Sequence, residues 1–176
     1  MTPIEQVEQA FLQLCWSIKI NSYLRLHPPA QKVDFDNPIT VTDPTDWLHL
    51  PGNQFNTIDD IHFGAENTIH LCLAALFLAL DTALDKAGIQ NDPHAQDSPG
   101  QLRILIYMCR CAYAHNVLAP SWEARGNYAR QLSIKLPGIS LELDLNRFNG
   151  THFEINQIGG YYAVQDQGLH LEAACP

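Results

Sequence analysis

Two residues that could carry out acid–base chemistry stand near the end of an apolar helical stretch, in the segment CRCAYAHN at residues 109–116. Arg110 supplies a fixed positive charge, and His115 supplies a group that can take up or release a proton near neutral pH. RNA is cleaved without a metal when its 2′-hydroxyl attacks the adjacent phosphorus. That reaction needs a proton acceptor and a cation that holds the phosphate. The two residue types are therefore compatible with chemistry on a phosphodiester.

The same residues also have a structural interpretation. Arg110 could be a solvated residue on the flank of the helix. His115 and Asn116 could close the helix C-terminus, where a cation and an asparagine are both favoured. The sequence leaves both interpretations open.

The helix that carries the segment has a predicted core face and two flanks when each residue is rotated by about 100° from the last. The core face is predicted to consist of Leu102, Leu105, Ile106, Cys109, Ala112 and Tyr113. One flank carries Arg103, Tyr107 and Arg110, and an apolar strip on the other side carries Ile104, Met108 and Cys111. The strip indicates either a helix sandwiched within a bundle or a contact with a partner chain.

Arg110 and His115 point in different directions, because five residues of helix separate their side chains by about 140°. One chain cannot easily aim both at the same atom. A two-fold axis near this helix would bring two arginines and two histidines to one cleft. Catalysis by the pair therefore predicts a homodimer formed through the third helix.

Further residues around the pair could bind a nucleotide. Tyr107 could stack on a base, Asn116 could position the histidine or a phosphate oxygen, and Arg103 is expected to contribute to substrate binding. Arg125 could reach an anion held at Arg110, or only the solvent. Residues 103–147 hold six of the ten Lys and Arg residues of a chain whose net charge is −9. This local excess indicates an anion site, although chance could also produce it, and the overall charge excludes a general nucleic-acid coat.

Hydrophobic periodicity predicts three helices, over residues 3–26, 65–86 and about 101–116. Residues 30–63 read as a long irregular insertion with one short strand at ITV, which either has a function or wraps the domain. After residue 128 the period changes to two, which predicts an antiparallel meander of about three or four strands that continues through Phe153, Ile155 and Val164. We therefore expect an α+β protein, with a helical bundle at 1–120 and a β-meander at 121–176, together forming one domain.

Composition restricts the remaining function classes. A hydrophobic content of 46% is typical of a globular chain, and the longest apolar run is ten residues, at 71–80. That run is about half of a membrane span, so a soluble, cytoplasmic protein without a leader is expected. The five cysteines show no framework spacing and are predicted to be free thiols.

No motif for a cofactor is present, and none is expected to be bound. The spacing of His62, Glu66 and His70 would suit a metal on one helix face. Because Gly64 interrupts this stretch, we expect the helix to begin after it, with His62 in the loop, and no metal site.

The arrangement of an arginine, four residues, a histidine and an asparagine at the end of the last bundle helix resembles the signature of the HEPN superfamily. The resemblance covers about residues 3–120, and the C-terminal sheet lies outside the family core. Members are helical bundles that often dimerise, and many are metal-independent RNases acting through an Arg-x(4 to 6)-His motif. The resemblance implies that Arg110 and His115 form the catalytic pair of an endoribonuclease or nucleotide-binding domain.

A non-catalytic interaction protein is the alternative. The acidic balance and the shortness of the motif favour it, with the bundle dimerising and the sheet or the 30–63 insertion binding a partner. A small-ligand pocket between the bundle and the sheet is a third possibility, for which the sequence names no residues.

Overall fold

The structure is a computed structural model that describes residues 1–28, 36–42 and 47–161. The long helices are α1 (Pro3–Leu26), α2 (Ile58–Lys86) and α3 (Ser98–His115). The strands are β1 (Ile39–Thr42), β2 (Trp47–Leu50), β3 (Gln131–Leu136) and β4 (Ile139–Asp144). Three short 3₁₀ turns follow α3, at Gly126–Tyr128, Leu145–Arg147 and Ile155–Ile158. The α+β class is confirmed.

The helix boundaries follow local capping. The predicted extent of α1 is confirmed, and α3 begins three residues earlier than expected because the Asp97 side chain accepts a hydrogen bond from the Gly100 amide. The predicted start of α2 at residue 65 is wrong. Thr57 and Asp60 cap each other reciprocally, at 2.8 and 3.2 Å, and start the helix at Ile58. Gly64 therefore lies inside α2.

The insertion contains a β-hairpin. The strand predicted at ITV is confirmed as β1, and it pairs antiparallel with β2, which the sequence did not predict. The parts of the insertion at 30–35 and 43–46 lie outside the described residues. Asp36 closes the base of this region, because its carboxylate accepts hydrogen bonds from the amides of Gln54 and Phe55 at 2.8 and 3.1 Å.

The C-terminal region holds a second hairpin, in which β3 pairs antiparallel with β4 from Gln131↔Asp144 to Leu136↔Ile139. Gly138 makes the connecting turn with a φ of 76°, a left-handed conformation that favours glycine. The expectation that a strand continues through Ile155 is wrong, because Glu154 and Gln157 form a capping box that starts a 3₁₀ turn there. Val164 lies outside the described residues.

The chain divides into two compact units, Cys15–Ile69 and Met1–Leu14 with His70–Pro176. The sequence predicts a boundary at residue 120, between a helical bundle and a β-meander, and this boundary differs from that of the two compact units. It stays a prediction. The larger unit contains α3, and the whole predicted core face of that helix is buried. Ile104 and Met108 are buried as well. Most of the second apolar strip is therefore covered within the chain, so α3 is a sandwiched helix.

Aromatic side chains fill the core of the larger unit beside α3. Tyr113 of α3 lies against Phe77 and Phe153, with ring centroids 6.0 and 5.3 Å apart, and Trp122 also contacts Phe153. All four side chains are almost completely buried. They connect α2, α3 and the segment after α3, and so fix the end of α3 that carries the candidate residues.

Among the described residues, α2 is long and apolar enough to cross a membrane when judged by length and composition alone. The longest uninterrupted apolar run, ten residues at 71–80, does not indicate this length, because the helix continues on both sides of the run. The central helix of a folded core meets the same criterion.

Candidate functional site

The first turn of α3 is fixed against the edge of β3. The Gln101 side-chain oxygen accepts a hydrogen bond from the Ser133 amide at 2.5 Å, and the Ser98 hydroxyl accepts one from the Lys135 amide at 3.0 Å. These side chains cover backbone amides that would otherwise form an open strand edge. The helix that carries the candidate residues is thereby anchored at its start.

Arg103 lies inside the protein. Its side chain is 5% exposed, its Nη1 forms an ion pair with Asp81 Oδ1 of α2, and its Nε donates to the Ile89 carbonyl at 3.2 Å. The guanidinium thus joins α2, the loop after it and α3. Substrate binding by Arg103 stays a prediction, and the burial and the partners of its side chain indicate a structural role.

Arg110 shares the same carboxylate in a looser contact. Its Nε lies 3.6 Å from Asp81 Oδ2, and its side chain is 41% exposed. Two guanidinium groups therefore surround one carboxylate, which leaves a local excess of positive charge. Within the described part of the chain, no hydrogen bond involves the terminal nitrogens of Arg110.

Tyr107 is half-buried, one turn before Arg110. Its ring contacts that of Tyr128 with centroids 5.2 Å apart, and the Tyr128 hydroxyl accepts a hydrogen bond from Asn91 at 2.9 Å. A hydrogen bond with the Cys111 thiol is the main cause that raises the pKa of Tyr107 above its ordinary value. One ring face is thus occupied, and a base would have to stack on the other.

His115 is the last residue of α3, and its side chain is 69% exposed. Its Nε2 lies 3.4 Å from Oε2 of Glu123, whose side chain is 34% exposed. The imidazole is therefore open to solvent on one side and faces a carboxylate on the other. A carboxylate in this position can orient the ring.

Asn116 ends the helix as the structural interpretation required. It is the C-cap, and its Oδ1 accepts hydrogen bonds from the Leu118 and Ala119 amides, both at 3.1 Å. The acceptor oxygen is thus engaged in the turn, and only the amide NH₂ stays available for a substrate. Its role in binding stays a prediction.

Arg125 precedes the turn at Gly126–Tyr128 and is exposed. No hydrogen bond or ion pair joins its side chain to another residue in the described ranges. It is available to an anion, but no contact connects it to Arg110.

The structure brings Arg103 and Arg110 together at Asp81 and places His115 at Glu123. Arg110 and His115 contact different acids and do not contact each other in the described chain. The sequence reasoning missed both acids as partners. Asp81 meets the arginines only through the packing of α2 against α3, and no sequence spacing predicts that contact. Glu123 had a usable signal, since it directly follows Trp122, a residue type whose large ring is usually buried.

The possible metal ligands on α2 require one correction. His62 lies within α2, because the helix begins at Ile58, so His62, Glu66 and His70 occupy the same helix. Among the residues that the structure describes, no group of three or more His, Cys, Asp or Glu side chains could hold a metal ion.

Comparison of the chain with known proteins found no matching family model, no matching curated protein and no matching solved structure.

Proposed function

We propose that this chain is a HEPN-type protein that acts as a homodimer on RNA or a nucleotide and cleaves a phosphodiester without a metal. The observation that carries the proposal is the state of His115, an exposed imidazole at a fixed helix end with a carboxylate 3.4 Å away. A histidine that only packs in the core would be buried, with both ring nitrogens hydrogen-bonded. His115 is exposed, and its two ring nitrogens are not both bonded.

The charge around Arg110 supports a role in holding phosphate. Asp81 is already neutralised by the buried Arg103, so the charge of Arg110 is not needed to balance the carboxylate. The Nε contact with Asp81 restrains the guanidinium, and within the described residues its two terminal nitrogens make no hydrogen bond. A planar pair of N–H donors is the geometry that suits two phosphate oxygens.

The proposed reaction uses the imidazole of His115 and the guanidinium of Arg110. The 2′-oxygen forms a bond to phosphorus and the bond from phosphorus to the 5′-oxygen breaks. The proton of the 2′-hydroxyl passes to the His115 imidazole, and the leaving 5′-oxygen takes a proton from the protonated histidine of the second copy. Arg110 stabilises the charge on the phosphate oxygens. The products are a 2′,3′-cyclic phosphate and a 5′-hydroxyl.

The geometry of α3 supports the proposal of a second copy. Within one chain the two motif residues contact separate acids, on sides of the helix that differ by about 140°. Two copies related by a two-fold axis would place the Arg110 of one near the His115 of the other. The proposed active species is therefore a dimer.

The test is cleavage of a mixed RNA pool by the purified protein in EDTA, beside the Arg110→Ala and His115→Ala variants. We expect cyclic-phosphate ends with the wild type and at least about a hundredfold loss of rate in each variant. Arg147→Ala and His27→Ala are matched controls, because Arg147 is an exposed arginine paired with Asp144, and His27 is an exposed histidine just after a helix end. Equal loss in the controls, or full activity in His115→Ala, would contradict the proposal.

A non-catalytic interaction protein is the second candidate, and two observations favour it. The contact of Arg110 with Asp81 could be purely structural. In the smaller unit, the hairpin of β1 and β2 exposes a continuous apolar face. On it Ile39 opposes Leu50 and Val41 opposes Leu48, and each of these side chains is about half exposed. Exposed apolar faces of this kind mark binding surfaces. This candidate would be favoured if the wild type cleaves no RNA and if Arg110→Ala binds RNA as the wild type does.

A further inference from the structure

The contact between His115 and Glu123 leads to an inference that rests on the proposed function and deepens it. We propose that Glu123 is the positioning residue of the site. Its carboxylate accepts a hydrogen bond from the Nε2–H group of His115, which fixes the ring and leaves Nδ1 as the atom that takes up the substrate proton. Glu123 itself does not touch the substrate.

The backbone just before Glu123 is firmly held. The side chain of Trp122 is completely buried, and its indole Nε1 donates to the Gln157 side chain at 2.7 Å. The Trp122 amide donates to the Thr151 carbonyl at 2.9 Å, and its carbonyl accepts from the Gly150 amide at 2.8 Å. Glu123 therefore directly follows a residue whose side chain, amide and carbonyl are all held in place.

The turn between α3 and Trp122 is held in the same way. The Ser121 amide returns to α3 and donates to the Ala112 carbonyl at 3.3 Å, while the buried Pro120 accepts a hydrogen bond from the Phe153 amide at 2.9 Å. The chain thus leaves the helix, makes a short turn and comes back beside it. This path places the Glu123 carboxylate at the imidazole of the last helical residue.

The chemistry of the contact gives Glu123 its role. A neutral imidazole carries its proton on either nitrogen, and the hydrogen bond made by one nitrogen decides which one is protonated. A carboxylate beside Nε2 accepts a hydrogen bond from a proton carried on that nitrogen, so the Nδ1 lone pair is free. In the described chain, no hydrogen bond involves Nδ1 of His115. That nitrogen is the one open to a 2′-hydroxyl.

The contact between His115 and Glu123 is long and exposed. The separation of 3.4 Å exceeds the usual N–H···O range of about 2.7–3.2 Å. Catalytic hydrogen bonds are often long without substrate and shorten when it binds. An ion pair this exposed contributes little to folding stability. Removing the carboxylate should therefore alter the state of the ring while leaving the fold intact.

The first test is independent of activity. The two ring-nitrogen chemical shifts of His115 are recorded by NMR on the full chain at about pH 8.5, where an ordinary histidine is neutral. In the wild type we expect Nε2 to have the shift of a protonated nitrogen and Nδ1 that of an unprotonated one. In Glu123→Gln the two shifts should move toward each other, since the amide accepts or donates equally well. Glu66→Gln, which removes an exposed carboxylate paired with Arg25, should leave them unchanged.

The second test uses the reaction. Glu123→Gln should lower kcat for RNA cleavage by at least about tenfold, with KM unchanged, and Glu123→Asp should recover part of the loss. Identical ring shifts in the wild type and Glu123→Gln overturn the role of Glu123, whether or not RNA is cleaved. A clear change of shift in a protein that cleaves no RNA supports the positioning contact and overturns the proposed function instead. A fall in kcat with unchanged shifts also overturns the positioning role.

Discussion

At the scale of single residues, two arginines share one carboxylate but differ in burial. Arg103→Met removes the buried partner of Asp81 and should lower the free energy of unfolding by about 3–5 kcal/mol. Arg110→Met removes a half-exposed partner and should lower it by less than about 1 kcal/mol. Urea unfolding followed by circular dichroism measures both values. Equal losses would contradict the assignment of Arg103 to structure and Arg110 to the site.

The hydroxyl of Tyr113 gives a second test at this scale. The side chain is 2% exposed, and its oxygen has no hydrogen-bond partner among the residues that the structure describes. A buried hydroxyl without a partner opposes folding, so Tyr113→Phe should leave the free energy of unfolding unchanged or raise it by about 1 kcal/mol. A loss above about 1 kcal/mol would show that the hydroxyl has a partner in solution, such as a buried water.

The same residue predicts a dependence on alkaline pH. Burial raises the pKa of Tyr113 in the folded state well above the ordinary tyrosine value of about 10. The folded protein therefore holds this proton more tightly than the unfolded chain does. The resulting stability is complete below about pH 10 and is lost as the pH rises further. Tyr113→Phe should lose less stability than the wild type between about pH 10 and pH 11 in the same urea experiment.

At the scale of elements, the turn after α3 depends on one side chain. Asn116 accepts two backbone hydrogen bonds, so Asn116→Ala should lower the free energy of unfolding by about 1 kcal/mol, while Asn116→Asp keeps the acceptor and should cost less. The two variants also separate structure from binding. If the Asn116 amide holds phosphate, Asn116→Asp will fold normally yet bind RNA less well. Similar RNA binding by the wild type and Asn116→Asp would assign the residue to the turn alone.

The elements also show what the sequence could predict. The helical period gave α1 and the core face of α3, because burial of one face imposes that spacing. The predicted start of α2 is wrong because a glycine such as Gly64 usually marks a helix boundary, whereas Thr57 and Asp60 cap the helix seven residues earlier. Gln157 likewise marks a 3₁₀ turn where alternation indicated a strand. Tertiary pairs could not be predicted, since the contact between Asp81 and Arg110 depends on how two helices pack.

At the scale of the whole molecule, the proposed dimer must form on a surface that the single chain leaves exposed. Most of the apolar surface of α3 is buried, so only the flank and end of that helix are open to a second copy. On α2, Leu71 and Leu78 are each about half exposed. They are seven residues apart and therefore lie on one side of the helix, about one quarter-turn from Asp81. A second copy that packs on this pair would come close to Arg110.

We therefore expect the double variant Leu71→Glu and Leu78→Glu to be monomeric in sedimentation at concentrations where the wild type is a dimer. It should keep the helical content of the wild type and lose RNA cleavage together with dimerisation, because in the proposed mechanism the motif residues at one phosphate come from two chains. Leu48→Glu is the matched control, an equally exposed leucine on the apolar face of the β1–β2 hairpin in the other unit. If Leu48→Glu dissociates the dimer and the α2 variant does not, the hairpin is the interface. A monomeric variant that still cleaves RNA would instead show that Arg110 and His115 act within a single chain.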